Sequence, residues 1–159
     1  MSKTGTISCC MKRDVVVIQS SSTIREAAAL LIERKVGTLP VVDEVGTLIG
    51  ILSITDVAHI FLPDVISLID DIDFVKDFGA IEKPAPRDLK QAETLVVDDI
   101  MEQPVSVDEE CTLLRALSMM EKHNLQDLPV VTKRGQLVGI ASRADIGRAL
   151  LTNWLNATT

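Results

Sequence analysis

The sequence predicts an α+β fold made of two copies of one β-α-β-β-α unit that bury their sheet faces together. The first observation behind this is a duplication. Leu39-Pro40-Val41-Val42, Gly46 to Ile51 and Ser53-Ile54-Thr55-Asp56 recur 89 residues later. There they read Leu128-Pro129-Val130-Val131, Gly135 to Ile140 and Ser142-Arg143-Ala144-Asp145. Three blocks at one offset in a chain of 159 residues mark two copies of a unit. The second observation is that each copy alternates short apolar runs with helical periodicity. Third, a unit this small exposes an apolar sheet face that it cannot bury alone, so the two must pack on each other.

In the first copy, Val15 to Ile18 is a β-branched run that predicts a strand. Thr23-Ile24-Arg25-Glu26 has the T-x-x-E form of a helix capping box. Ile24, Ala27, Ala28, Leu31 and Ile32 then recur at helical spacing, giving a helix to about Lys35 that Gly37 closes. Leu39 to Val42 and Leu48 to Leu52 flank Asp43-Glu44-Val45-Gly46 and read as a hairpin. Helical character resumes from Ser53 to about Ile69, interrupted at Pro63. The second copy repeats this plan with one residue fewer early on. Val105 to Val107 is its strand, and Thr112 caps a helix carrying Leu113, Leu114, Leu117, Met120 and Leu125. Leu128 to Val131 and Leu137 to Ala141 form its hairpin, and a last helix runs from about Arg143 to Leu155.

The stretch between the copies resembles neither. Asp64, Asp70, Asp71, Asp73 and Asp77 make it acidic, and Lys83-Pro84-Ala85-Pro86-Arg87 must interrupt any helix. Spaced acids among Ile, Leu and Val describe an amphipathic, solvated connector, with a divalent-cation segment as the functional alternative.

Composition narrows the function classes. The formal charge of −7 argues against nucleic acid or an anionic membrane surface as a partner, since both need basic surface. Aromatics are 3% with no Tyr, so aliphatic packing must fill the interior. No apolar run approaches the ~20 residues that span a bilayer, and residues 1–11 lack the apolar core of a signal peptide. Cys9, Cys10 and Cys111 form no disulfide framework or C-x-x-C pair, and His59 and His123 stand alone, so no metal site and a reducing, cytoplasmic setting are expected.

The ordered pattern of apolar strand, helix, L-P-V-V, G-x-L-h-G-h hairpin and S/T-x-x-D helix start resembles the CBS domain, named after cystathionine β-synthase. Its duplication resembles the tandem pair also called a Bateman module, with unit 1 at residues 8–62, a connector at 63–95 and unit 2 at 96–155. The resemblance implies two units packed through their sheets about a pseudo-twofold axis. It also implies two clefts between them that bind adenosine-containing ligands such as AMP, ADP or ATP. Most such modules are appended to enzymes, channels or transporters; this length leaves no room for such a domain, implying a stand-alone member that signals to an unidentified protein.

The candidate chemistry lies where the third strand runs into the second helix. Ser142 falls at a helix N-terminus, whose open N–H groups and dipole suit a phosphate. Arg143 would add a charge-assisted contact. By the resemblance, Asp145 accepts hydrogen bonds from a ribose diol, and Ile51, Ser53 and Asp56 occupy the places of Ile140, Ser142 and Asp145, with Ile54 replacing the arginine. The resemblance draws each adenine wall from the opposite unit: Met11, Val16, Gly37 and Thr38 for the Ser142/Asp145 cleft, and Met101, Val105, Gln126 and Asp127 for the other. The carboxylate of Asp127 would repel a polyphosphate and favours a ligand with few phosphates, or one that is not a nucleotide. S-x-x-D is also a helix cap, and the two roles are compatible.

No P-loop, G-x-S-x-G or H-E-x-x-H is present, so no enzyme and no cofactor are expected. An adenylate-sensing regulatory module is the leading expectation, with an interaction scaffold carrying degenerate clefts as the alternative. A homodimer is also expected, through an apolar stripe of Val57, Ile60 and Phe61 together with Ile146, Leu150, Leu151 and Trp154.

Overall fold

The computed structural model describes residues 3–61 and 89–157. The acidic and proline-containing stretch, with Asp64, Asp70, Asp71, Asp73, Asp77 and Lys83 to Arg87, lies outside the described residues.

In the first repeat, α1 (Ile24–Arg34) leads into strands β1 (Thr38–Val42) and β2 (Leu48–Ser53), then α2 (Ile54–Ala58) and a 3-10 turn at His59–Phe61. After α3 (Leu89–Thr94) and α4 (Val97–Ile100), the second repeat supplies α5 (Leu113–Lys122), β3 (Asp127–Val131), β4 (Leu137–Ser142) and α6 (Arg143–Ala157). The expected capping box at α1 forms in full: the Glu26 amide donates to Thr23 Oγ1 and the Thr23 amide to Glu26 Oε2, both at 3.0 Å. The hairpins turn at Gly46 and Gly135, whose φ of +86° and +81° glycine adopts without strain.

Both hairpins are antiparallel with one register. Pro40 lies opposite Ile51 and Pro129 opposite Ile140, with a bulge one residue further along each strand. The expected strands at Val15 to Ile18 and Val105 to Val107 shrink to single parallel bridges, Ile18 to Val41 and Val107 to Val130. The proline explains this. The Ile18 amide donates to the Pro40 carbonyl at 3.1 Å, but lengthening the ladder toward Val16 would require Pro40 to donate in turn, and it has no N–H. Pro129 imposes the same limit on Val105. Val15 and Val16 are thereby released from the sheet.

The helix ends also differ from expectation. Gly37 does not close α1. Lys35 does, in the left-handed conformation at φ +52°, with the Val36 amide donating back to Leu31 at 3.2 Å. Asn124 repeats this at φ +52° after α5, with the Leu125 amide donating to Met120 at 2.8 Å. Both have the form of a Schellman ending.

Reciprocal contacts define a pseudo-twofold axis. The Leu48 amide donates to Gly135 at 3.0 Å and the Leu137 amide to Gly46 at 3.1 Å. Each repeat also completes the other's core. Ile7 and Met11 pack with Leu113, Ala116, Met120, Leu128 and Ile146 of the second repeat. Val97, with Leu95, Ile100 and Met101 beside it, packs with Ile24, Leu31, Leu39 and Leu52 of the first. These crossed segments tie the two halves into one folded body. None of the described helices is long and apolar enough to cross a membrane.

Candidate ligand-binding site

The crossed segments set the site. Lys12 pairs with Ile140 of the second repeat, its amide donating at 2.8 Å and its carbonyl accepting at 2.9 Å. Directly opposed residues of an antiparallel pair direct their side chains to one face. Lys12 and Ile140 accordingly line one cavity of about 190 Å³. Its remaining wall is Asp14, Val15, Val16, Lys35, Val36, Gly37 and Thr38 from the first repeat, and Asp127, Ser142 and Asp145 from the second. Of the expected wall residues for this cleft, Val16, Gly37, Thr38, Ile140, Ser142 and Asp145 are brought together here.

Ser142 and Asp145 form a reciprocal cap on α6. The Asp145 amide donates to Ser142 Oγ and the Ser142 amide to Asp145 Oδ2, both at 3.0 Å. Asp145 Oδ1 stands 3.8 Å from Arg148 Nη1. A carboxylate has about four lone-pair sites, so capping leaves acceptor capacity on Asp145 for a hydroxyl pair. Helix α6 runs from Arg143 to Ala157, a length that develops the N-terminal field.

Three residues are placed otherwise than the sequence reading expected. The Arg143 guanidinium turns away from the cavity and caps α5, donating through Nε to Leu125 O, through Nη2 to Met120 O at 3.1 Å, and pairing through Nη1 with Glu121. Met120 O lies in the last turn of α5, at the negative end of its dipole, and Leu125 O follows the left-handed helix ending, which explains the attraction. Met11 is 9% exposed and packs inward; a Cβ built on Gly139 would fall 2.7 Å from its sulfur. The thioether therefore fills the space that the missing side chain leaves, behind the cavity rather than on its surface. Asp127, expected at the other cleft, lines this one, and Thr38 Oγ1 donates to its Oδ2 at 2.7 Å. Thr38 and Asp127 are equivalent positions in the two repeats, and they meet across the pseudo-twofold in the wall of this cavity.

The equivalent face of the first repeat has the same frame. Ile51 and Glu102 exchange amide bonds at 3.0 and 2.9 Å, and Ser53 and Asp56 form a reciprocal cap at 3.1 and 2.7 Å. Met101 packs over Gly50 as Met11 does over Gly139. Val105 is half-buried against the second repeat's core, and the exposed Gln126 accepts the Arg143 amide at 3.1 Å through its carbonyl.

Lys12, Asp14 and Lys35 were not foreseen. Lys12 follows the selected Met11, and aligning Met11 with Met101 places it at the position of Glu102. Lys35 was hidden by the helix ending being assigned to Gly37. Among the described residues no group of three or more His, Cys, Asp and Glu could hold a metal ion. The Cys10 thiol, on the far side of Asp145, is pushed up to about 11 by burial first and by Cys9 and Asp145 next.

The model of the CBS domain matches residues 6–63 and 97–152, and the chain belongs to this family as a tandem pair. The chloroplastic CBS domain-containing protein CBSX1 of Arabidopsis thaliana is 31% identical over 150 residues, covering 88% of this chain and 61% of its own length. The chain thus spans about three fifths of that relative. An uncharacterised protein of Methanocaldococcus jannaschii is 32% identical over 152 residues, covering 89% of this chain and 88% of its own length. The structure of CBSX2 in complex with AMP is similar with a TM-score of 0.70 and 27% identity, covering 93% of this chain and 97% of that one.

Proposed function

We propose that this protein is a regulatory module that senses an adenosine compound carrying one phosphate, AMP being the representative, in the cavity between Lys12, Lys35 and Asp145. The observation that carries the reading is the composition of that cavity. Val15, Val16, Val36 and Ile140 offer an apolar wall to a base, Asp145 offers acceptors to a ribose, and two ammonium groups offer a counter-charge to phosphate. Asp14 and Asp127 line the same cavity, and their charge favours a monophosphate over a polyphosphate. The complex of CBSX2 with AMP supports the ligand class.

The module acts as a homodimer and passes the bound state to a second protein. Of the expected apolar stripe, Val57 and Ile146 are instead buried in the two cores, and Ile60 and Leu150 are half-buried against them. Leu151 and Trp154 remain 58% and 62% exposed on α6, and Phe61 37% exposed beyond α2, which supports a twofold contact through this side. Light scattering should give about twice 17.3 kDa at micromolar concentration; the mass of one chain would remove the dimer.

Calorimetric titration tests the ligand reading. AMP should bind, and Asp145→Ala should weaken it about tenfold, equivalent to about 1.4 kcal/mol. Asp56→Ala should leave AMP affinity within twofold, while both variants lose a cap contribution of about 1 kcal/mol in melting experiments. Both S-x-x-D pairs close as reciprocal caps, the role that the scaffold alternative gives them. No heat with AMP or adenosine from the folded protein would establish that alternative.

A further inference from the structure

The Ser53 side of the pseudo-twofold repeats the backbone frame of the Ser142 cavity and differs from it in charge at equivalent positions. Lys12 and Glu102 are equivalent, each joined by two amide bonds to an isoleucine of the opposite repeat, Ile140 or Ile51. Because opposed residues of such a pair share a face, Glu102 leaves its strand on the side of Ile51, as Lys12 does on the side of Ile140. Lys35 and Asn124 are likewise equivalent, both at φ +52° after a helix that ends in the same way. Two cations in one cleft thus become one carboxylate and one amide in the other.

The helix starts reinforce this difference. Ser142 opens the fifteen-residue α6, whereas Ser53 opens the five-residue α2, which is too short to develop a comparable N-terminal field. On the Ser53 side, Asp56 and Glu102 carry negative charge at positions whose backbone the pseudo-twofold fixes, and Asn124 and Gln126 add only neutral amides.

We infer that Glu102 determines specificity by excluding phosphate from the Ser53/Asp56 cleft, where Asn124 supplies no counter-charge, so that this cleft takes an adenosine compound without one. This rests on the proposed AMP reading of the first cleft and adds a second ligand class to the molecule. The module then reads two chemically distinct adenosine compounds at once, and Thr38 and Asp127, hydrogen-bonded at 2.7 Å on the boundary, stand between the two sites.

Equilibrium dialysis of the full chain against radiolabelled AMP and adenosine, each at saturation, tests the inference by stoichiometry. The wild type should hold one AMP or two adenosines per chain. Glu102→Lys with Asn124→Lys should hold two AMP, and Glu102→Lys alone should show a second, weaker AMP site if the double variant folds poorly. Lys12→Glu with Lys35→Asn should hold no AMP and still two adenosines. Two AMP on the wild type with affinities within threefold would overturn the inference, as would a folded Glu102→Lys protein that still holds one. A single adenosine on the wild type would remove the second ligand. No AMP on the wild type would instead overturn the reading of the first cleft, and this inference with it.

Discussion

Arg143 and Ile54 begin the last helices of the two repeats from equivalent positions, and their amides make the same bond, to Gln126 O at 3.1 Å and Gly37 O at 2.8 Å. Their side chains have unrelated fates. Arg143 reaches the end of α5 and binds the carbonyls of Met120 in its last turn and of Leu125 just beyond it, while Ile54 is 50% exposed and caps nothing. Lys12 and Glu102 form a second such pair, as do Lys35 and Asn124. Duplication preserves what the backbone needs: the proline that truncates a strand, the glycine under a methionine, the serine and aspartate of a cap. Charge is free to diverge where a side chain points into solvent or a cleft. The cation that looks most like a phosphate ligand, Arg143, is structural, whereas the functional candidates are two lysines on the other repeat.

Breaking these pairs one at a time separates the roles. The largest effect on folding is expected from Arg143→Ala, which strips the Met120 and Leu125 carbonyls of a charged donor and should lower stability by about 2 kcal/mol. Ile54→Ala, at an exposed position, should stay within about 0.5 kcal/mol. Urea denaturation measures both, and AMP affinity should remain within twofold in each. A tenfold loss of AMP in Arg143→Ala would return the arginine to the site.

The second pair tests strain against function. A lysine in the left-handed region costs about 1–2 kcal/mol relative to residues suited to it. Lys35→Gly should therefore raise unliganded stability by about 1 kcal/mol and weaken AMP severalfold. Asn124→Gly should change stability by a few tenths, because asparagine already tolerates that conformation. If Lys35→Gly gains stability without losing AMP, the lysine is not a ligand contact.

A smaller effect distinguishes Cys10 from its counterpart Ile100. The folded Cys10 thiol titrates at about 11 and the unfolded one near 9.0, with burial as the first cause. Between these values the unfolded chain binds fewer protons, so stability falls as pH rises from about 9 toward 11. Cys10→Ile, which borrows the residue of the other repeat, should flatten part of that alkaline loss in pH-dependent melting. An unchanged slope would assign the loss to Cys111, whose thiol burial also raises, or to other groups.

Much of the fold was legible because it rests on local rules. The T-x-x-E box, the two glycine turns and the repeated L-P-V-V and S-x-x-D blocks each satisfy backbone groups within a few residues. The strand lengths were less legible: β-branched runs at Val15 and Val105 satisfy strand propensity, yet Pro40 and Pro129, more than twenty residues later, withhold the donor a longer ladder needs. The sequence shows that not all of the stripe can face the core, but helical spacing does not say that Ile146 and Val57 are the members the core covers. In the site, the wall from Val16 to Thr38 and from Ile140 to Asp145 followed from the resemblance. Lys35 did not, because left-handed helix endings are read from glycine, and a lysine there gives no such signal.

The central claim is that a phosphate-bearing adenosine compound sits between the two lysines of one repeat and the capped helix of the other. A crystal structure grown with AMP tests it most directly. The account predicts phosphate density within reach of Lys12 and Lys35, the ribose on Asp145, and Arg143 still bound to the end of α5. AMP found only beside Ser53 and Asp56, or with its phosphate held by Arg143, would contradict it.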